Sequence, residues 1–397
     1  MYGFDAFYGI SKDYFSEKNS VFTSEEIAQQ PRLWIELSKT LIERKNEISA
    51  FMKKARADGP IRIVFTGAGS SGFIGDALSV LIAKNNGVRT ESIHSTEIVT
   101  DPESFLFPDV PTLLISFARS GNSPESAGAV RYARATVKTL LEAAIVCDDK
   151  SDLYDLTAQR DGSLILVMPE GSNDKGFAMT SSVSCMLLAG FALFNTDQID
   201  DFAKDIVLLA GNLFGSAQGL TRTAQKWAER DFDRIVYLGC GFLKHLAHEA
   251  SLKMMELTGG AVNGSYENPA GFRHGPKSMI NDKTVSVHMI SNDPFTAKYD
   301  LDLVSEIFRE QGQNMIISIA PGSVQDAPGD EIISIDTDGC IIGGDICAGI
   351  WALVFCQMLA MFKSMFLGIT TDNPSPTGAV NRVVKGITVY EYKGGEK

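Results

Sequence analysis

Short runs of consecutive apolar residues recur along the chain. Each ends in a glycine or polar turn, and longer stretches of helical period separate them. RIVFTGAG (62–69) and RIVYLGCG (234–241) lie 172 residues apart, and both read as a strand-type run, a glycine turn and a helix. At the same offset TLLISF (112–117) falls on TVSVHM (284–289), and EAAIVC (142–147) on NMIISI (314–319). SLILVM (163–168) has its counterpart in EIISID (331–336), four residues out of register, and each series closes in a long apolar helical stretch, 178–195 and 345–367. Four matches in order at nearly one offset predict an internal duplication. Apolar runs alternating with helices predict an α/β chain with two parallel sheets, each covered on both faces. Ligands of such sheets bind beyond the carboxyl ends of the strands, where the turns 66–72 and 238–241 fall.

A helical section precedes the first copy. Thr23 and Glu26 have capping-box spacing, Pro31 divides a short helix from a longer one, and Trp34, Leu37, Leu41, Ile48 and Phe51 recur on one face. This predicts an arm that packs on the first domain or on a second subunit. DNPSPT (372–377) breaks the last helix, and a tail, NRVVKGITVYEY, follows. The expected division is an N-terminal arm over 1–44, a first domain over 45–205, a second over 206–375 and a tail over 376–397.

Composition narrows the classes. The 397 residues are 44% hydrophobic and 21% charged, enough for large cores. Net charge is −13 with no basic run, which argues against a nucleic-acid partner. Six scattered cysteines without C-x-x-C predict reduced, mostly buried thiols and a cytoplasmic setting. MYGFDAFYGISKDYF lacks the layout of a secretory signal. The apolar stretch 346–362, interrupted by Gln357, is shorter than a membrane span and predicts a buried or dimer-interface helix, so no membrane association is expected.

Gly67, Gly69 and Gly72 fit G-x-G-x-x-G, with Glu91 placed where a ribose acceptor would stand, so a dinucleotide is one reading. The competing reading is a single phosphate. Ser70 and Ser71 follow the first turn, and ISFARSGNSPES (115–126) crowds Ser120, Asn122 and Ser123 ahead of Pro124, which can open a helix. Unpaired N–H groups at helix starts and rotatable hydroxyls suit an anion. Either loop alone reads equally well as helix capping; two on neighbouring strands favour the anion, and the serine loop has no role in a dinucleotide site. The second copy keeps the glycines (CGFLKH, ISNDPF) but loses the hydroxyls, and Asp293 would repel phosphate.

In HLAHEASLKMME (245–256), Glu249, Lys253 and Glu256 share one helical face. Such a face is either a solvated stripe with an ion pair or, directly after a ligand-binding turn, a set of acid–base groups. His245 and His248 are spaced i, i+3, but no third ligand is evident and no metal is expected.

The pairing of GAGSSG with ARSGNSPES, the duplication and FRHGP (272–276) together resemble the SIS (sugar isomerase) fold. ENPAGFRHGPKS and NPSPTGAVNRVVKGIT carry a closer likeness to its tagatose-6-phosphate ketose/aldose isomerases and galactosamine-6-phosphate deaminase/isomerases. The resemblance implies two tandem SIS domains and a hexosamine 6-phosphate substrate. It places Ser70, Ser71, Arg119, Ser120 and Ser123 on the phosphate, with Arg119 compensating for Ala118 where the family often has serine. It implies Glu256 as the proton shuttle on the repeat opposite the phosphate loops, with Lys253 and Glu249 as helpers. It implies His274 as the ring-opening group contributed across a homodimer, Lys385 as a lysine closing over the sugar, and Thr180 and Ser181 as sugar-lining residues. No cofactor is implied. The expected reaction is conversion of galactosamine 6-phosphate to tagatose 6-phosphate and ammonia. The alternatives are isomerisation without deamination, deglycation of a phosphorylated sugar-amine, and a non-catalytic sugar-phosphate-binding regulator.

Overall fold

The computed structural model describes residues 3–392 other than 58, 311–314, 323, 325, 376–380 and 385. The chain forms two compact units. One comprises Glu36–Asp174, Ser181–Ala203 and Thr377–Lys397; the other comprises Met1–Ile35, Lys175–Thr180 and Lys204–Pro376.

The first unit holds strands β1 (Arg62–Thr66), β2 (Glu91–Ser92), β3 (Thr112–Ala118), β4 (Leu140–Val146) and β5 (Leu164–Val167). The second holds β6 (Arg234–Gly239), β7 (Asn263–Glu267), β8 (Thr284–Met289), β9 (Met315–Pro321) and β10 (Glu331–Ile335). Both sheets are parallel throughout, ordered β2-β1-β3-β4-β5 and β10-β9-β8-β6-β7. The orders are equivalent under the duplication, and in each the direction of winding reverses beside the first strand of the copy. That reversal point, β1/β3 or β6/β8, is where a sheet of this order opens a crevice for a ligand.

The four apolar runs of each copy are the four strands that carry most of the sheet. The reading above lacks β2 and β7, which sit at the sheet edges. Helices Ser70–Asn86 and Phe242–Leu257 begin 172 residues apart, and the turns before them share one backbone shape: Gly69 at φ 54°, ψ −131° and Gly241 at φ 55°, ψ −123°. Only glycine takes that conformation without strain. The close approach behind the turn is also duplicated. A Cβ on Gly67 would stand 2.6 Å from the Ser71 backbone, and one on Gly239 would stand 2.8 Å from the Leu243 Cβ.

Two long apolar helices close the copies. Gly344–Phe366 matches the expected stretch 345–367 to within one residue at each end, and 94% of its most apolar window is buried. The oxygen of the polar interruption is paired internally, with Gln30 Nε2 donating to Gln357 Oε1 at 2.9 Å. Each of these helices starts on a buried aspartate. Asp174 accepts the N–H groups of Ser181 (3.2 Å) and Ser182 (3.0 Å) ahead of Ser181–Ala192, and Asp205 accepts those of Ile341, Ile342 and Gly343 at 2.7–2.9 Å ahead of Gly344–Phe366. A carboxylate there meets both the unpaired N–H groups and the helix dipole.

The N-terminal section is helical, with Val21–Ala28 followed by Gln30–Ala55, so the break falls at Gln29, next to Pro31. Trp34, Leu37, Leu41, Ile48 and Phe51 are buried as one face. The capping box does not form, because Thr23 and Glu26 both lie inside the first of these helices. Its first turn is instead held by Asp372, which accepts the N–H groups of Phe22 (3.0 Å) and Thr23 (2.8 Å). The Glu26 carboxylate accepts the N–H groups of Lys175 and Gly176, and a Cβ on Gly176 would meet it at 2.8 Å.

Candidate functional site

In the first unit the crevice at β1/β3 is rimmed by the two serine-bearing loops. Ser70 and Ser71 occupy the first turn of the Ser70–Asn86 helix and are almost fully buried. The loop behind them is buttressed from the β2 side: Ser95 N–H donates to the Gly67 carbonyl at 2.8 Å, and the His94 ring fills the space that a Cβ on Gly72 would need. His94 Nε2 lies 3.1 Å from Asp76 Oδ2, and that bond raises the imidazole's pKa against the opposing effect of burial. The third glycine of the motif therefore accommodates the His94 ring.

After β3, Gly121 takes φ 62° and passes directly over the Ser151 side chain, where any Cβ would collide. Pro124 opens the Pro124–Thr136 helix at its first turn. Ser120 and Ser123 are half-buried, and the Ser123 hydroxyl lies 2.8 Å from that of Ser126. Asn122 has a structural task, its Oδ1 accepting the Asp152 N–H at 3.0 Å. The Arg119 guanidinium is buried and donates from Nη2 to the Arg382 carbonyl at 2.6 Å. Nothing in the residue pattern indicates that bond, which spans 263 residues of chain.

Glu91, the ribose acceptor of the dinucleotide reading, lies in β2 and is held by the Arg62 fork at 2.9 and 2.7 Å. That hydrogen-bonded pair lowers the carboxyl's pKa. Glu91 serves the sheet edge, and the dinucleotide reading loses its acidic residue.

In the second unit, Glu249, Lys253 and Glu256 come together on the helix that follows β6. Lys253 Nζ lies 3.3 Å from Glu249 Oε1 and 2.6 Å from Glu256 Oε2. The alternative of a solvated stripe is excluded, since side-chain exposure is 0% for Lys253, 1% for Glu249 and 25% for Glu256. Burial acts to lower the Lys253 pKa, but the charges of Glu249 and Glu256 outweigh it and leave the ammonium favoured. At the repeat offset, Glu249 and Lys253 replace Ala77 and Leu81, both fully buried in the other copy. Two of the three charges thus stand where the duplicate has plain core, a placement that packing alone does not favour.

The crevice of this second sheet differs from the first. Ser291 stands at the offset position of Arg119, and its N–H donates to Asp300 Oδ2 at 3.0 Å. Burial raises the Asp300 carboxyl to about 6, and the Cys240 thiol at the end of β6 adjoins it. Asp293 caps the Pro294–Glu310 helix through the Thr296 N–H and hydroxyl, both at 2.8 Å. In the second crevice a buried carboxyl group thus takes the N–H at the offset position of Arg119.

His274 is exposed, in the turn after Pro269–Phe272, with its backbone N–H donated to the Gly271 carbonyl. Its ring makes no hydrogen bond to the other candidates among the described residues. Thr180 is buried, and the Ser181 hydroxyl donates to Asp174, which makes Ser181 part of a helix cap. Lys385 lies outside the described residues. His248 stacks on Tyr266, ring centroids 3.9 Å apart at 15°. Among the described residues no three His, Cys, Asp or Glu side chains gather to hold a metal.

Comparison with known proteins gives this geometry its relatives. The chain is 36% identical over 378 residues to the D-galactosamine-6-phosphate deaminase AgaS of Escherichia coli, covering 94% of this chain and 96% of that one. A Clostridium novyi crystal structure, provisionally named a tagatose-6-phosphate ketose/aldose isomerase, superposes at TM-score 0.91 with 38% identity, covering 97% of this chain and 98% of the other. The tagatose-6-phosphate ketose/aldose isomerase of Escherichia coli superposes at TM-score 0.85 with 33% identity, covering 94% and 97%. The SIS domain model matches residues 59–196 and 230–358, one stretch for each sheet. With its two equivalent parallel sheets and these two matches, the chain belongs to the SIS domain family.

Proposed function

We propose that this chain is a sugar-phosphate deaminase/isomerase that converts galactosamine 6-phosphate to tagatose 6-phosphate and ammonia. The observation that carries the reading is the buried Glu249–Lys253–Glu256 cluster on the Phe242–Leu257 helix that follows β6, with Glu256 alone of the three part-exposed. The relative in Escherichia coli, alike over nearly its whole length, is named for the deamination.

Ser70, Ser71, Ser120 and Ser123, with the N–H groups of two helix starts, hold the phosphate dianion. The exposed His274 serves ring opening, contributed by a second copy of the chain, so the working form is at least a homodimer. Glu256 removes the C2 proton of the open-chain aldehyde while O1 gains a proton, giving an enolamine. The proton returns to C1, which leaves a C2 iminium. Water adds at C2 and ammonia leaves, and the ketose 6-phosphate remains. Lys253, charged and fixed 2.6 Å from Glu256, holds the shuttle in one orientation, and Glu249 anchors Lys253 from the other side. The steps require no metal or redox cofactor. Six thiols, none in a disulfide, support a cytoplasmic setting.

A second reading, aldose–ketose isomerisation of a sugar without nitrogen, takes its support from the structural relatives' isomerase name. A panel of hexose and hexosamine 6-phosphates, assayed for ammonia and for ketose, separates the two. Ammonia and ketose are expected in equal amounts from galactosamine 6-phosphate. Ketose from galactose 6-phosphate without ammonia from the amino sugar would select the second reading. Glu256→Gln is expected to lower kcat by about 10²–10⁴, the usual worth of a positioned base; an undiminished rate would remove Glu256 from its role.

A further inference from the structure

Arg119, which the resemblance places on the phosphate, also reaches the C-terminal segment, its Nη2 donating to the Arg382 carbonyl at 2.6 Å. Arg382 reaches back in turn. Its Nε donates to the Asp174 carbonyl at 2.7 Å and its Nη2 to Asn173 Oδ1 at 2.9 Å. Asp174 is the buried aspartate that starts the Ser181–Ala192 helix, so Arg382 is moored to a rigid point of the core. Seven residues further on, the same segment is gripped again. Val389 fills the space over Gly128, where a Cβ would stand 2.9 Å from its Cγ1. The Tyr132 hydroxyl donates to the Tyr390 carbonyl, and the Tyr132 and Tyr392 rings lie 5.0 Å apart. Gly128 and Tyr132 both belong to Pro124–Thr136, the helix whose first turn follows the serine loop. All these groups lie within one unit.

We infer that Arg382 is a positioning residue: with Arg119 and the Gly128–Val389 contact it clamps the C-terminal segment at two points against the loop and helix proposed to hold the phosphate. The inference rests on the function proposed above and adds a division of labour to it. The loop hydroxyls and N–H groups bind the anion. Arg119 holds the segment through one of its N–H donors. A guanidinium suits this task because its planar fork serves several carbonyl acceptors at fixed angles, which the single ammonium of a lysine does not.

The test compares Arg382→Ala, Arg382→Lys and Gly128→Val with the wild-type chain. Gly128→Val leaves both arginines in place and blocks the seat of Val389, while also pressing on Val99, whose Cγ1 would stand 3.1 Å from the new Cβ. Arg382→Ala and Gly128→Val are each expected to lower kcat about tenfold or more, with the Kd for inorganic phosphate within twofold of wild type and Arg382→Lys in between. Amide hydrogen exchange over residues 386–392 should accelerate in both. A wild-type kcat in either variant, or a loss of phosphate affinity matching the loss of kcat/KM, overturns the inference. Unchanged exchange also overturns it. The exchange measurement needs no substrate, so it judges the clamp even if the wild-type chain proves inactive on every sugar phosphate tried, an outcome that would count against the proposed function instead.

Discussion

At the scale of single residues, the buried charges separate function from packing. Lys253 is enclosed by two carboxylates, and it and Glu249 stand where the other copy has leucine and alanine. Lys253→Met would leave Glu249 buried without its cation, and the expected loss is about 3–5 kcal/mol of unfolding free energy, read from urea denaturation. A loss below 1 kcal/mol would mean that the cluster is solvated. Asp300 offers a second measurement with a definite sign. Its folded-state pKa, about 6, lies above the ordinary aspartate value of 3.8. Between those values the folded state holds a proton that the unfolded state releases, so stability falls as pH rises from about 4 through about 6, by an amount on the order of 3 kcal/mol. Asp300→Asn keeps an acceptor for the Ser291 N–H and should flatten that part of the stability–pH curve; an unaltered slope would rule out the buried carboxyl as its source. Glu249, Lys253 and Glu256 were legible in the sequence as one helical face, because spacing fixes direction. Their burial was not, because a charged stripe reads identically on either side of a helix.

At the scale of elements, the glycine turns set the site. Gly67 is glycine because the chain folds back onto the Ser71 backbone at 2.6 Å, and Gly69 because its dihedrals admit no other residue without strain. Gly67→Ala must push the start of the Ser70–Asn86 helix outward, and the Kd for inorganic phosphate is expected to rise tenfold or more by calorimetry, with the far-ultraviolet spectrum retained. Unaltered affinity would show that phosphate does not bind there. The six inner strands were readable because each is a run of apolar residues buried on both faces, and the edge strands β5 and β10 because they still carry apolar runs. The edge strands β2 and β7 were not, since ES and NGSYE are short, polar and half-exposed, and a sheet edge imposes little pattern. The capping-box reading failed for a related reason. Spacing alone does not reveal that Asp372, some 350 residues away, already holds that helix start.

At the scale of the whole molecule, duplication is the organising fact, and one offset carries strands, turns and helix starts alike. What it does not carry is chemistry. The first copy retains hydroxyls at its crevice and an apolar helix behind it, while the second has an acid–base cluster on that helix. Long-range bonds such as Arg119 to Arg382 escape any local reading, because they depend on where the chain's distant segments come to rest.

The Asp300 carboxylate gives this asymmetry a further meaning. A tethered group is present at an effective concentration that no dissolved ion in a cell approaches. The second crevice is thereby insulated from the phosphate of its surroundings, however much that fluctuates. On the function proposed above, the first, with its hydroxyls and helix-start N–H groups, is the crevice that takes phosphate, so free phosphate would report on that copy and leave its twin indifferent.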